Sequence, residues 1–294
     1  METQLRIGEC MAKEGRLQLG VRRALSGLAA LNLNALRILF TRGAGSAVEY
    51  VTQSHRLYSG YGLPWKWSGL PWRSDLHIPQ ITAQELFPEI DFVRSPELLF
   101  PFPRDLSTMP HELMILARVV EFLRPRRVVE FGTAEGRTAL NIALHLPPEG
   151  EVITLDFPPI PGQNDVGYFY WEQPLKSKIK QIFSGVDAWD ATPYRASAEM
   201  VFCDACDQLP GLAAEAAQAF TVVKPGGVIF RHDYGSARGP TLFWNEISKE
   251  LPVRHLEGTT LLCLRVNTQD IYDKMQEMLA SGRFSNSRSA RPNP

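Results

Sequence analysis

Val128-Val129-Glu130-Phe131-Gly132-Thr133-Ala134-Glu135-Gly136-Arg137-Thr138 is the stretch on which the reading of this chain turns. An apolar run closes on a carboxylate, passes through a turn carrying two glycines, and opens into a helix-forming sequence. Gly132 frees the backbone to turn sharply, and Gly136 lets the next helix approach the sheet. On such a frame a ligand sits outside the carboxyl ends of the strands. Dinucleotide-binding proteins share a glycine-bearing turn of this kind. Glu130 argues against a pyrophosphate, which it would repel, and suits an ammonium group instead.

Working outward, the chain downstream alternates strand and helix, the texture of a parallel sheet. Ser107-Thr108-Met109-Pro110 starts a helix over 110–123, with a capping hydroxyl and Pro in the first turn. The pattern then predicts a strand at 126–132, a helix from Gly136 to about Leu146 and a strand at 151–157. An inserted loop over 158–172 precedes a helix and short strand within 173–184. The strand AEMVFCD ends at Asp204, and a helix covers 209–222. Lys224-Pro225-Gly226-Gly227 makes a tight turn before GGVIFRHD, which ends near Asp233. A helix at 240–250, the strands PVRHLEG and TTLLCLRV, and a helix over 269–281 complete the series. The fold class implied is Rossmann-like α/β: a seven-stranded, mostly parallel sheet with helices on both faces. Asp156, closing the second strand, stands where a carboxylate can hold ribose hydroxyls.

Upstream the texture differs, so four regions are expected: 1–57, 58–106, 107–268 and 269–294. Residues 16–41 read as a basic amphipathic helix, with Val21, Leu25, Leu28, Leu31, Leu36 and Leu39 on one stripe and arginines around it. Such a helix packs on its own domain, pairs with another subunit in a homo-oligomer, or lies on an anionic membrane; the expected contact segment is 16–42. Residues 58–74 repeat GLPW, at Gly62–Trp65 and Gly69–Trp72, among further aromatics. They read as an irregular arm that packs on the main domain or covers a substrate pocket. The insert DVGYFYW, Asp165–Trp171, has the same two readings. The tail beyond 281 is polar and expected to be disordered.

Composition excludes less than the motifs do. With 31 basic and 32 acidic residues, the net charge of −1 gives no electrostatic ground for nucleic-acid binding. Cys10, Cys203, Cys206 and Cys263 are too few and scattered for a disulfide framework. Cys203 and Cys206 form a CxxC without a second pair at zinc spacing, so they read as small residues at a strand end. METQLRIGEC has no apolar core, and Ala24–Phe40 is interrupted by Asn32, Asn34 and Arg37. The expectation is a cytoplasmic protein acting on small molecules.

Glu-x-Gly-x-Ala-x-Gly, the acidic second strand end, and Lys-Pro-Gly-Gly before the fifth strand resemble a class I S-adenosylmethionine (SAM)-dependent methyltransferase. Over about 108–266, EFGTAEGRT, QPLKSKI, MVFCD, KPGGVIFRHDYG and LPVRHLEGTTLLCL resemble methyltransferase family 24, the macrocin O-methyltransferase-like group. The resemblance implies a seven-stranded sheet whose last strand is antiparallel, and methyl transfer from SAM to a hydroxyl of a sugar or other small molecule. It implies that Glu130, Gly132, Thr133, Ala134 and Gly136 hold the methionyl end and that Asp156 binds ribose. It places Asp187 and Asp204 among the cofactor contacts as well. Asp204, His232 and Asp233 would face the acceptor, with His232 as first candidate base. In related enzymes this region holds a divalent cation, which makes the same three residues candidate Mg2+ ligands.

Two departures stand out. Relatives have Gly-Asp-Ser after the third strand, where this chain has Ser184-Gly185-Val186-Asp187; they have Asp-Gly-x-His-Ser-Tyr after the fourth, where it has Asp204-Ala205-Cys206-Asp207-Gln208-Leu209. A catalytically lapsed cofactor-binding protein acting through protein interaction is therefore the second reading. Each residue also has a plain alternative. Asp156 and Asp204 suit loop capping, and His232 suits a satisfied structural histidine.

Overall fold

The computed structural model describes residues 76–101, 108–159 and 166–284. The helix read at 16–41, the GLPW arm at 58–74 and the tail beyond 284 lie outside the described residues.

Eight strands form one sheet in the order β1-β7-β8-β6-β5-β2-β3-β4. They are β1 (Gln80–Ile81), β2 (Arg127–Phe131), β3 (Glu151–Asp156), β4 (Ile179–Phe183), β5 (Ala198–Cys203), β6 (Val223–Arg231), β7 (Arg254–Leu256) and β8 (Leu262–Arg265). β8 runs antiparallel to β6 and β7, and every other pairing is parallel. The seven expected strands are present, and β1 adds an eighth at the edge beside β7. The helices are α1 (Ala83–Leu86), α2 (Pro110–Leu123), α3 (Arg137–His145), α4 (Leu209–Val222), α5 (Arg238–Ile247) and α6 (Gln269–Ala280).

The pleat sorts each strand's side chains into two cores. Val129, Phe131, Ile153, Leu155, Val201 and Ile229 face one side and pack with Ala216, Ala219 and Phe220 of α4 and Met275 and Met278 of α6. Val128, Val152, Met200, Phe202 and Phe230 face the other, against Leu116, Val119 and Val120 of α2 and Leu140, Ile142 and Ala143 of α3. Each such side chain contributes about 1.5–3 kcal/mol by leaving water. The strands read as near-continuous apolar runs because both faces are covered.

Residues 76–101 belong to the same compact unit as 108–284, so the boundary expected near 106 does not separate them from the sheet. Phe87 and Ile90 are buried in the second core. The Tyr234 hydroxyl accepts the N–H groups of His77 (3.0 Å) and Ile78 (3.1 Å) and donates to Asn245 Oδ1 (2.8 Å). That tether sets β1 beside β7.

The chain leaves β2 toward β3 and β4, then returns to β5 and β6 on the other flank. The order thus reverses between β2 and β5, and the crevice at their carboxyl ends is where open α/β sheets bind ligands.

Candidate active site

A cleft of about 1120 Å³ opens at that reversal. Gly132, Ala134, Asp156, Phe157, Asp187 and Asp204 line it, with Gln218 and Thr221 of α4 along one side. Gly132 has φ +94°, and a Cβ there would lie 2.5 Å from the Asp204 carbonyl oxygen. Only glycine lets the turn after β2 pass so close to the end of β5. Ala134 takes φ +44° without being glycine, a strained conformation of the kind concentrated at ligand sites.

Asp156 fixes that turn from the neighbouring strand. Its carboxylate accepts the Ala134 N–H at 2.7 Å and its own successor's N–H, Phe157, at 2.7 Å. A carboxylate has about four acceptor positions, so two remain for a ligand's hydroxyls. Phe157 follows with its ring 67% exposed, an apolar surface left in water at the cleft wall. The Gln218 amide donates to the carbonyls of Val186 and Trp189, fastening the loop that carries Asp187.

Three further residues expected to hold a ligand, Glu130, Thr133 and Gly136, are not among those lining the cleft. Glu130 is wholly buried and accepts a hydrogen bond from Thr154 Oγ1. Thr133 Oγ1 pairs with Thr154 Oγ1 at 2.7 Å and accepts from the Gln181 amide. Gly136 has φ +82°, and a Cβ there would meet the Tyr170 ring at 2.5 Å. At Gly136 the insert folds onto the glycine turn. Gly167 N–H donates to Ala134 O and Phe169 N–H to Glu135 O, which seats the buried Tyr170 ring over Gly136. The aromatic insert packs within the fold here, where Phe169 also meets Phe100. Burial, together with the charges of Asp204 and Asp156, raises the Glu130 carboxyl to about 8 despite the Thr154 hydrogen bond.

At the ends of β5 and β6 the pleat sends neighbouring residues to opposite faces. Arg231 points toward α4, fully buried, and donates to the carbonyls of Cys203 and Cys206. Glu215 of α4 lies 3.5 Å from its guanidinium and accepts the Ala205 N–H at 2.8 Å. Burial raises Glu215 to about 7 even against the Arg231 charge. The pair clamps the loop Asp204–Asp207 between β5 and α4. Burial likewise pushes Cys206 up to about 12 and Cys203 well above its ordinary value, which disfavours the thiolate at both.

His232 points the other way, toward α2. Its Nδ1 is 3.1 Å from Asp204 Oδ1 and its Nε2 is 3.1 Å from Glu112 Oε2. Burial disfavours the imidazolium, but Asp204 and Asp233 outweigh it and raise the ring well above its ordinary value. Burial also raises Asp204, which keeps 21% of its side chain at the cleft surface. His232 is buried with a carboxylate facing each ring nitrogen, a geometry that the structural reading of this histidine fits.

The same geometry bears on Mg2+. Among the described residues, Asp204, His232 and Asp233 are the group whose ligand atoms lie close enough to share a cation, within 4.8 Å. Arg231 sits 3.8 Å from Asp204 Oδ1 and already supplies a positive charge beside this group.

Sequence reading missed Glu112, Arg231, Glu215 and Tyr170. Glu112 carried a signal, since it stands three residues after Met109 where a capping box places its acid. Its carboxylate does accept the Met109 N–H at 2.9 Å. Of the hydroxyls in Ser107-Thr108, that of Thr108 is paired with Thr138 Oγ1 at 3.0 Å.

No family model matches the chain, and no curated protein matches its sequence. Among solved structures, it is similar to an O-methyltransferase of Streptomyces achromogenes involved in tomaymycin synthesis, in complex with SAM. The identity is 18%, over 67% of this chain and 95% of that one, with a TM-score of 0.45. An O-methyltransferase of Bacillus cereus in complex with SAH gives 18%, 66%, 95% and 0.44. An SAH-bound methyltransferase of Podospora anserina gives 16%, 56%, 82% and 0.45. At such identities the likeness is one of fold, and the reading of the site rests on its own residues.

Proposed function

We propose that the cleft binds SAM and that the chain is a SAM-dependent methyltransferase acting on a hydroxyl of a small molecule. The observation that carries this is Asp156, which lines the cleft while its carboxylate accepts the Ala134 and Phe157 N–H groups. It would hold the ribose diol. Phe157 and Asp187 would flank the base, one with an apolar face and the other with an acceptor. When bound, the cofactor supplies a methyl group already activated on a sulfonium. The protein's own work is to align an acceptor and exclude water. Asp204 is the carboxylate that reaches the cleft with raised basicity, so it is the group placed to take an acceptor's proton. The acidic lining favours a neutral or cationic acceptor over an anionic one.

A second reading, cofactor binding without turnover, is favoured by the engagement of His232 on both sides. Calorimetric titration with SAM and S-adenosylhomocysteine, in wild type and Gly132→Arg, tests the shared premise. Binding in the micromolar range that Gly132→Arg abolishes is expected. No heat with the wild type would remove both readings. Binding without transfer across a panel of alcohol and sugar acceptors would select the second.

A further inference from the structure

The cleft has one wall that neither the glycine turn nor the strand ends supply. It is a face of α4, along which Gly211, Ala214, Ala217, Gln218 and Thr221 recur at helical spacing. Three of these carry a methyl group or nothing. Thr221 turns its hydroxyl back to the Ala217 carbonyl at 2.7 Å. Gln218 is therefore the side chain that brings polarity to this face.

Its amide is held in one orientation. Nε2 donates to Val186 O at 3.1 Å and to Trp189 O at 2.7 Å. A carbonyl oxygen only accepts, so the nitrogen must face both and cannot exchange places with Oε1. Both amide hydrogens are thereby used, and Oε1 accepts from no group among the described residues. The loop it fastens is itself stiff. The Ala188 and Trp189 N–H groups donate to Gly185 O at 3.1 and 3.0 Å, and the Trp189 ring packs on Phe131 and Tyr194.

That loop brings a second acceptor to the same place. Asp187 follows Val186 directly, and its carboxylate lies beside Gly185 together with the Phe157 ring. A Cβ on Gly185 would stand 2.8 Å from Asp187 Oδ1 and 3.0 Å from that ring. An exposed aromatic face and two acceptors thus meet at one loop, which complements a flat base carrying an amine.

We propose that Gln218 reads the cofactor's base: its Oε1 accepts one hydrogen of the adenine amine, and Asp187 accepts the other. This rests on the reading of the cleft as a SAM site. The selectivity follows from the donor count. A purine with a carbonyl in place of the amine sets an oxygen against two acceptors and is rejected, because neither acceptor then has a partner.

Calorimetry with S-adenosylhomocysteine and S-inosylhomocysteine, in which a carbonyl replaces the amine, tests this without turnover. Wild type should prefer the adenosyl ligand by about 10-fold to 100-fold, the weight of two lost hydrogen bonds. Two variants separate recognition from the tie to the loop. Gln218→Lys keeps a donor for the Val186 and Trp189 carbonyls and removes the acceptor. The preference should then fall by about 3-fold to 10-fold, one hydrogen bond's weight. Gln218→Glu keeps an acceptor and removes the donors, so both ligands should weaken, the preference should persist, and amide exchange at 186–189 should accelerate. Equal binding of the two ligands by wild type, or an undiminished preference in Gln218→Lys, would overturn the proposal and leave the reading of the cleft standing. No heat with S-adenosylhomocysteine would overturn both. Should Gln218→Lys not fold, Gln218→Met takes its place with the same expected fall and the same contrary outcome.

Discussion

Glu130 is a carboxyl group where water does not reach, and that has a consequence for stability. Its ordinary value of 4.5 rises to about 8, chiefly by burial. The folded chain therefore binds this proton more tightly than the unfolded chain does. The stabilisation is complete below about pH 4.5 and is lost as pH rises through about 8. Glu130→Gln keeps a hydrogen-bonding group there and removes the titration. Denaturant unfolding of both proteins between about pH 5 and pH 8 should find wild type losing stability relative to the variant, on the order of a few kcal/mol. Parallel profiles would show that the carboxyl is ionised throughout. That an acid ends β2 is legible in the sequence. Where it points is not, because the pleat that aims Glu130 at Thr154 depends on the β2–β3 register. The same holds at Arg231 and His232, adjacent residues sent to opposite faces, whose partners Glu215 and Glu112 come from distant helices.

Among the elements, the long periodic ones are read almost to the residue. α2 and α4 begin and end as expected because an apolar stripe, a first-turn Pro and a strand on either side all point the same way. β1 was not legible. Two residues carry no period, and β1 is set by its pairing with β7 and by the Tyr234 hydroxyl, which holds the chain ahead of it. Tyr234→Phe leaves two N–H groups and Asn245 without that hydroxyl, a loss of about 1–3 kcal/mol. Hydrogen exchange at 77–81 should accelerate in this variant while β2 and β5 stay protected. Unchanged protection at 77–81 would mean that β1 is held by its β7 pairing alone. The insert followed the packing alternative rather than the lid alternative for a comparable reason. Tyr170 finds its seat over Gly136 only after the chain has crossed β3, and no local pattern announces that contact.

At the scale of the whole molecule, the alternation of strands and helices carried the fold, and the glycine turn carried the position of the cleft. Handedness and short connections leave few ways to wind such a chain, so the order reversal between β2 and β5 follows from the pattern. None of the described helices is long and apolar enough to cross a membrane. The reading of the cleft as a cofactor site is most directly tested by hydrogen exchange with and without S-adenosylhomocysteine. Slower exchange confined to 132–134, 156–157, 184–188 and 204–206 is the predicted result, since those segments line the cleft. Binding that protects other segments, or no change at any amide under saturating ligand, would contradict it.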